Sequence, residues 1–200
     1  GTAGRSCIDD EVRVVKAYDD HKAEPDEMVA HDSKETGEII IFCPEKTTYS
    51  YYNNPTEQEK KFYKGWMYTG DLGTWDEDWF VTICGRKDDM IICSGENIYP
   101  TQIEEVLNGH PGVADSLVTA VPAKVRGQVE GAYLVPRDDA LTIRELVDFC
   151  NETPMLSAYK RPRYYRIVDS LPHTATGKKL HYVMKQQALE DLDKGLLKRS

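Results

Sequence analysis

Residues 85–105 read GRKDDMIICSGENIYPTQIEE, and the order of residue types in them predicts two successive elements. Apolar runs at residues 90–92 and 97–99 flank a Ser-Gly pair at positions 94–95, a composition typical of a tight β-hairpin. Pro100 follows at the first position of a helix, where the missing N–H of proline leaves no hydrogen bond unmade. We therefore expect a hairpin followed directly by a helix.

Strands and helices alternate on the C-terminal side of this hairpin. The predicted elements are helices at residues 100–108, from 142 onward and at 178–189, and strands at residues 113–121, 132–135 and 164–168. The helix start at residue 142 is well marked, because Thr142 and Glu145 match a capping box. Leu141 and Leu146 are placed to form a hydrophobic staple around the same turn. This alternation predicts a compact α+β domain.

The first part of the chain is predicted to be rich in strands. Candidate strands lie at residues 11–15, 38–42, 66–69 and 79–83, with a polar helical stretch at 55–61 and an acidic turn at 76–78. The charged residues 85–89 separate this part from the α+β part. We place the domain boundary between Lys87 and Asp88, which gives domains at residues 1–87 and 88–200.

The composition argues against several classes of protein. With 40% hydrophobic and 30% charged residues, the chain can bury a core and lacks the signature of disorder. No apolar run approaches the length of a membrane helix, and the first residues do not resemble a signal peptide. The expected location is therefore cytoplasmic. A net charge of −9 argues against a general nucleic-acid binder.

The charge is distributed unevenly along the chain. Residues 157–200 contain ten Lys/Arg and four Asp/Glu, a net charge of +6. Because the whole chain carries −9, the preceding 156 residues carry −15. This basic quarter fits a local anionic ligand such as a phosphorylated cofactor. The alternative is a solvated helical face that includes Lys178, Lys179 and Lys185.

Cysteine and histidine spacing argues against a metal site. The five cysteines are widely spaced and form no CxxC pair: Cys7, Cys43, Cys84, Cys93 and Cys150. The five histidines are equally dispersed, and a zinc site needs closely paired ligands. We expect reduced thiols that fill apolar positions and no metal ligand in these residues.

The loop at residues 172–178, PHTATGK, is the first specific functional signal. Small hydroxyl residues and a glycine let the backbone approach a ligand closely, and Lys178 stands at the end of the loop. A flexible ammonium group can neutralise charge that develops on a phosphoryl oxygen. The loop is not a Walker A motif, because Lys179 stands where that motif has Ser or Thr. A plain surface turn is the alternative.

Two further segments have the composition of a nucleotide site. Asp71 follows a glycine at the predicted end of a strand, where a carboxylate can accept hydrogen bonds from two ribose hydroxyls. Arg86, in the segment 85–89, could bind hydroxyls or phosphate. Each also has a simpler interpretation: Asp71 could be an ordinary β-turn aspartate, and the segment 85–89 could be a salt-bridged loop. The charged segment 85–89 additionally suits a hinge, because few packing contacts would resist a change in its backbone angles.

In this order, the motifs resemble the closing motifs of the adenylate-forming superfamily, which includes acyl-CoA synthetases, peptide-synthetase adenylation domains and luciferases. The segments are TGD at 69–71, GRKDD at 85–89, SGENIYPTQIE at 94–104 and PHTATGK at 172–178. The stretch at 85–105 is most similar to the aryl- and acyl-CoA ligase branch. The resemblance covers the whole chain, including residues 1–5.

The resemblance implies an α+β fold in two parts. Residues 1–87 would be the β-rich end of the large N-terminal adenylation domain. Residues 88–200 would be the small mobile C-terminal lid domain, with a hairpin and a three-stranded sheet flanked by helices. Lys87 and Asp88 would form the hinge about which this domain turns.

The resemblance also implies roles for the residues of the adenylation step. Asp71 and Arg86 would hold the ribose of ATP and of acyl-AMP. Lys178 would bridge the attacking carboxylate and the α-phosphate. The enzyme would use ATP and Mg²⁺, with the Mg²⁺ ligands expected upstream of these residues.

A second set of residues would serve the thioester-forming step. After domain rotation the hairpin would face the site, with Ser94 and Gly95 lining the route of the coenzyme A pantetheine arm. Lys160 and Arg161 are candidates for the phosphates of the coenzyme A nucleotide. The partners implied are a small carboxylic acid, ATP, coenzyme A and the N-terminal domain, without nucleic acid or a membrane span.

The chain departs from the family pattern at several positions. Trp79 stands where the family usually has glycine, Cys93 replaces a frequent basic or small residue, and His181 and Tyr182 replace arginines. The phosphate-gripping loop and the magnesium-ligand segment of the superfamily do not occur in these residues. We therefore expect a C-terminal fragment of an AMP-forming acid–thiol ligase that is inactive by itself.

Two alternatives stay open at this point. The acceptor could be the thiol of a carrier protein instead of coenzyme A, which competition between the two acceptors would distinguish. The chain could also be a non-catalytic module that keeps the fold, although the joint presence of Asp71, Arg86 and Lys178 argues against a pure scaffold.

Overall fold

The computed structural model describes residues 2–7, 10–44 and 55–200. Residue 1, at the start of the similarity over residues 1–5, lies outside the described residues. The chain divides into two compact units, Gly1–Asp88 and Asp89–Ser200. This division falls one residue after the predicted boundary. No helix in the described part of the chain is long and apolar enough to cross a membrane.

The first unit is built on a five-stranded antiparallel sheet. Its elements are β1 Val12–Val15, β2 Gly37–Phe42, α1 Pro55–Lys61, β3 Phe62–Tyr63, β4 Trp66–Trp75 and β5 Val81–Arg86. Strand β4 pairs with β2, β3 and β5, and β1 pairs with β2. Because side chains alternate along a strand, neighbours such as Ile39 and Ile40 enter two different apolar clusters, so both faces of the sheet are packed.

Strands β4 and β5 differ from the predicted strands at residues 66–69 and 79–83. Strand β4 continues to Trp75, so the Thr-Gly-Asp motif lies within the strand and not at its end. Strand β5 begins at Val81 because Trp79 has a φ of +68°. This is a conformation that glycine adopts without strain and other residues rarely adopt, and it occurs at the position where the family resemblance leads us to expect glycine.

The second unit contains a six-stranded sheet with three α-helices. Its elements are β6 Ile91–Cys93, β7 Glu96–Ile98, α2 Pro100–Asn108, β8 Val113–Ala123, β9 Gly127–Pro136, α3 Ile143–Glu152, β10 Tyr164–Ile167, α4 His181–Asp193 and β11 Lys198–Arg199. Strand β9 pairs antiparallel with β8 and parallel with β10. These three strands form the predicted sheet.

The sheet is nevertheless larger than the three strands that were predicted. The β6–β7 hairpin joins it through a single residue pair, Cys93 with Gly127. Strand β11 adds two residues at the edge of β10. The α+β class is confirmed, and the correction concerns only the extent of the sheet. The hairpin itself was predicted, but its pairing with β9 was not, and the two residues of β11 are too few to show a hydrophobic pattern.

Helices α2 and α3 agree closely with the sequence prediction. Helix α2 spans Pro100–Asn108, with its apolar side facing the core. The capping box of α3 is present, with the Thr142 and Glu145 side chains each bonded to the backbone of the other. Leu141 and Leu146, the predicted staple, both lie in the same buried cluster.

Helix α4 begins at His181 and ends at Asp193, not at the predicted residues 178 and 189. The residues before it are held in a loop instead, since His173 and Lys179 form an antiparallel bridge and the N–H of Leu180 donates to the carbonyl of Pro172 at 2.9 Å. Lys178 is therefore a loop residue and is not part of the helix.

All five cysteines are free. Cys93 and Cys150 are buried in the core of the second unit, as expected of thiols that fill apolar positions. Cys7 is exposed, so the expectation fails there.

Candidate functional site

Asp71 and Arg86 face each other across the ladder of β4 and β5 in the first unit. Arg86 Nη1 donates to Asp71 Oδ1 at 2.8 Å and to the carbonyl oxygen of Thr69 at 3.1 Å. Each of the two charged side chains keeps 36% of its surface exposed. The structure thus brings the two predicted ribose-binding residues together in an accessible ion pair.

Gly70 makes room for this ion pair. Its φ is +74°, and a Cβ added to it would lie 3.0 Å from Arg86 Nη2. The Gly70 N–H donates to the buried Glu38 carboxylate at 3.2 Å, and the Asp71 N–H donates to Thr69 Oγ1 at 3.0 Å. Each residue of the Thr-Gly-Asp motif therefore helps to fix the position of the carboxylate.

Asp71 lies at the edge of an open cleft of about 350 Å³ in the first unit. Asp71 and Thr69 are among its polar lining residues. Most of the remaining lining is apolar and includes Val12, Ile39, Ile41, Val81 and Ile83. A cleft with apolar walls and a few polar groups is typical of a small-molecule site. The cleft could accept a nucleoside with its hydroxyls on the carboxylate.

The two predicted hinge residues differ in their contacts. Lys87 is held within the first unit, since its Nζ contacts the Glu38 carboxylate at 3.2 Å and its N–H donates to the Gly70 carbonyl at 2.9 Å. Asp88 is exposed in the turn that follows β5. Of the two, Asp88 has the environment that favours a hinge, because few contacts resist a change in its backbone angles.

The lysine loop of the second unit is ordered by its own hydrogen bonds. The Thr174 N–H donates to the Lys178 carbonyl at 2.8 Å, and the Lys178 N–H donates to Thr174 Oγ1 at 3.0 Å. Gly177 permits the turn with a φ of +81°. The Lys178 side chain is exposed and has no ionic partner among the described residues. The loop therefore presents a free ammonium group on a fixed backbone.

The neighbouring lysine has the opposite environment. Lys179 Nζ lies 2.9 Å from Asp115 Oδ1 and 3.4 Å from Glu104 Oε2, and it also contacts the Ser116 carbonyl. Only 20% of its side chain is exposed. Of the basic residues named in the alternative of a solvated helical face, Lys179 is thus an anchor within the fold, whereas Lys185 is exposed.

His181 is bound to the same buried carboxylate. Its Nε2 lies 2.8 Å from Glu104 Oε1, and its Nδ1 lies 3.8 Å from Asp89 Oδ2. Burial acts to lower the pKa of His181, but the hydrogen bond and charge of Glu104, together with Asp89, outweigh it and raise the pKa. The sequence did not point to this network. The only signal was Glu104 beside Ile103 on the inner side of a helix.

The tip of the β6–β7 hairpin is exposed and tightly turned. Ser94 and Gly95 have φ values of +53° and +87°. The Ser94 N–H donates to the Arg126 carbonyl at 3.1 Å, which ties the tip to the start of β9. No atom lies within 4 Å of a Cβ built on Gly95. The tip therefore has open space for a ligand.

Lys160 and Arg161, the two candidates for nucleotide phosphates, already have protein partners. Lys160 Nζ donates to Gln102 Oε1 at 2.9 Å. Arg161 Nη2 donates to the Asn151 carbonyl at 3.0 Å. Both side chains are partly accessible, so these bonds orient them without enclosing them.

A basic cleft in the second unit was not predicted. It has a volume of about 490 Å³, and four cationic side chains line it: Lys124, Arg126, Arg163 and Arg199. Its walls are apolar, with Val129, Tyr164 and Leu192. The residues come from three distant segments, which is why no local motif revealed the cleft.

In the part of the chain that the structure describes, no group of His, Cys, Asp and Glu could hold a metal ion.

Comparison with known proteins identifies relatives of this chain. The family model described as AMP-binding enzyme C-terminal domain matches residues 102–178. The chain is 36% identical over 185 residues to a 2-succinylbenzoate–CoA ligase of Bacillus subtilis, covering 92% of this chain and 35% of the relative. It is 34% identical over 157 residues to a long-chain-fatty-acid–CoA ligase of Escherichia coli, covering 78% and 28%.

A solved structure shows the same relationship. The o-succinylbenzoate CoA synthetase of Bacillus subtilis, in complex with its acyl-adenylate intermediate, superposes with a TM-score of 0.77 at 36% identity, over 92% of this chain and 35% of that chain. The present chain thus spans about a third of the length of the curated relatives that it matches. This chain belongs to the adenylate-forming superfamily, and it corresponds to the C-terminal part of the acyl-CoA synthetases in that family.

Proposed function

We propose that this chain is the C-terminal part of an ATP-dependent carboxylate–CoA ligase. In the first step a carboxylate oxygen attacks the α-phosphorus of ATP, pyrophosphate leaves, and an acyl-adenylate forms. In the second step the thiol of coenzyme A attacks the acyl carbonyl and AMP leaves. The observation that carries the proposal is Lys178, an exposed ammonium group with no ionic partner in the described part of the chain, on an ordered loop beside an ion-paired lysine.

Asp71 and Arg86 are proposed to bind the ribose of the nucleotide. Arg86 occupies one oxygen of the Asp71 carboxylate at 2.8 Å and leaves the other oxygen for the hydroxyls of a ribose. The ion pair keeps the carboxylate oriented before the ligand arrives, which reduces the entropy lost on binding. The adjacent apolar cleft provides the surface that a nucleoside would cover.

Lys178 is proposed to act in the adenylation step. Negative charge accumulates on the α-phosphoryl oxygens as the carboxylate approaches, and a nearby ammonium group stabilises that charge in the transition state. The fixed backbone of the loop places the side chain without a large loss of entropy. Because Lys178 and the incoming thiol would need the same space, we propose that the unit Asp89–Ser200 turns about Asp88 between the two steps.

The thioester step is proposed to use the hairpin tip and nearby cations. Ser94 and Gly95 would line the route of the pantetheine arm, where no side chain blocks the space beside Gly95. Lys160 and Arg161 would contact the nucleotide phosphates of coenzyme A. We further propose that Mg²⁺ binds to ligands in the rest of the enzyme, and that the enzyme is cytoplasmic, which agrees with five free cysteines.

Pyrophosphate release by the intact enzyme tests this proposal. The enzyme would be assayed with ATP, Mg²⁺ and a panel of aryl, medium-chain and long-chain carboxylic acids. We expect pyrophosphate release with one class of acid and acyl-CoA formation once coenzyme A is added. No release with any acid would contradict the ligase assignment. Transfer to a carrier-protein thiol in preference to free coenzyme A would overturn the choice of acceptor.

A further inference from the structure

The two ends of the lysine loop are attached to one carboxylate on β8. His173 Nε2 lies 3.2 Å from Asp115 Oδ2, and Lys179 Nζ lies 2.9 Å from Asp115 Oδ1. Because these residues also bridge each other across the base of the loop, Asp115 fixes the points where the loop begins and ends. Lys178 is the last loop residue before this anchor.

A second carboxylate, Glu104 of α2, holds the residues that follow. One oxygen contacts Lys179 Nζ at 3.4 Å, and the other contacts His181 Nε2 at 2.8 Å and accepts from the Val118 N–H at 2.8 Å. Glu104 is only 5% exposed, so its contacts are shielded from solvent and are stronger than surface ion pairs. The start of α4 is therefore fixed to the core of the unit.

We propose that Glu104, Lys179 and His181 are positioning residues that hold Lys178 in place, and that protonation of His181 strengthens their hold. The inference rests on the proposed function, because it gives Lys178 its role in adenylation. Lys179 acts through the backbone it shares with Lys178, and His181 acts through Glu104. None of the three positioning residues needs to touch the substrate.

The charges around His181 explain why its protonation matters. Three carboxylates belong to the network, Asp89, Glu104 and Asp115, and Lys179 is its one permanent cation. With a neutral His181 the network carries −2, and protonation of His181 reduces this to −1. Repulsion among the carboxylates is therefore smaller when His181 carries a proton.

The direction of the pH effect follows from the environment of His181. Burial opposes the charged form, but Glu104 and Asp89 raise the pKa of His181 above its usual value of 6.5. The contribution of the protonated network is present below the usual pKa of 6.5 and is lost as the pH rises through the raised pKa of His181. We therefore expect adenylation to fall with rising pH more steeply than the thioester step does.

Matched variants of the intact enzyme test the positioning residues. Lys179→Met removes the anchor, and we expect adenylation to fall by at least about tenfold, since small displacements of a catalytic group cost up to about 10²-fold. Lys179→Arg should restore much of the rate. Lys185→Met, an exposed lysine on α4, is the control and should leave both steps unchanged. Thioester formation from supplied acyl-adenylate should change less than twofold in all three variants.

The pH profile separates positioning from general damage to the fold. His181→Gln should show, at low pH, the reduced adenylation that the unaltered enzyme shows at high pH. His181→Arg, with a permanent charge, should remove the dependence on the His181 proton. NMR of the 200-residue chain should show that each variant keeps the fold and that the His181 imidazole titrates above 6.5.

The outcomes distinguish this inference from the proposed function. If Lys178→Ala leaves adenylation intact, the proposed function itself fails. If Lys178→Ala abolishes adenylation but Lys179→Met and His181→Gln match the control at every pH, the positioning network is overturned. Equal losses in both half-reactions of a Lys179→Met enzyme would likewise contradict it, since the residue would then act on stability alone.

Discussion

Glu130 on β9 provides a strong test of the energetics of this fold. Its side chain is 0% exposed, and neither carboxyl oxygen has a hydrogen-bond partner. Burial raises its pKa to about 7, although a contact with its own backbone N–H, too poorly aligned for a hydrogen bond, and the charges of Arg163 and Arg126 oppose the rise. An unfolded glutamate titrates near 4.5, so the folded chain holds this proton over a range where the unfolded chain has lost it.

The magnitude follows from the difference between the two pKa values. Stability should fall as the pH rises from 4.5 to about 7, by about 3 kcal/mol at roughly 1.4 kcal/mol for each unit. Glu130→Gln keeps the shape of the side chain and removes the titration. The variant should therefore gain about 3 kcal/mol over the unaltered chain when the pH is raised through this window.

Urea denaturation of the 200-residue chain at about pH 4 and pH 8 measures this difference. The free energy of unfolding would be compared for the unaltered chain, for Glu130→Gln and for Glu152→Gln, an exposed glutamate that serves as the control. The free energy of unfolding of the control should change with pH as that of the unaltered chain does. If the free energy of unfolding of Glu130→Gln shows the same change, Glu130 is not desolvated in the folded chain, and the reasoning from burial is refuted.

Two smaller changes test local features of the fold. Gly70→Ala should destabilise the chain by about 1–3 kcal/mol, because alanine is strained at the Gly70 φ of +74°. It should also displace Arg86, because the new Cβ would lie 3.0 Å from Arg86 Nη2. Unchanged stability in urea together with unchanged AMP affinity of the intact enzyme would contradict this. Thr142→Ala removes the hydroxyl oxygen that accepts from the Glu145 N–H at the start of α3. Thermal or urea unfolding should show that the free energy of unfolding falls by about 1 kcal/mol. An unchanged free energy of unfolding would mean that the capping box does not stabilise α3.

Much of the second unit could be predicted because its signals are local. The hairpin around Ser94 and Gly95 needs only the conformations of adjacent residues, and the cap at Thr142 needs only residues three positions apart.

In the first unit, the Asp71–Arg86 pair was predicted as a functional pair from the order of motifs. The structure places the two side chains opposite each other on neighbouring strands.

The features that were missed depend on contacts between distant residues. The start of α4 depends on Asp115 and Glu104, which hold the residues before it in a loop. The late start of β5, which was predicted to include Trp79, depends on one backbone angle that no propensity for tryptophan predicts. The basic cleft is formed by side chains from the turn between β8 and β9, from the start of β10 and from β11, and it exists only once these strands have paired.

The division of labour at Lys178 is the central claim, and one comparison tests it directly. Lys178→Ala would be introduced into the intact enzyme, and acyl-adenylate formation and thioester formation from supplied acyl-adenylate would be measured separately. We expect a loss of about 10²-fold or more in the first step, the scale of losing one transition-state charge partner, and little change in the second. Equal losses in both steps, or none in the first, would contradict the assignment of Lys178 to adenylation.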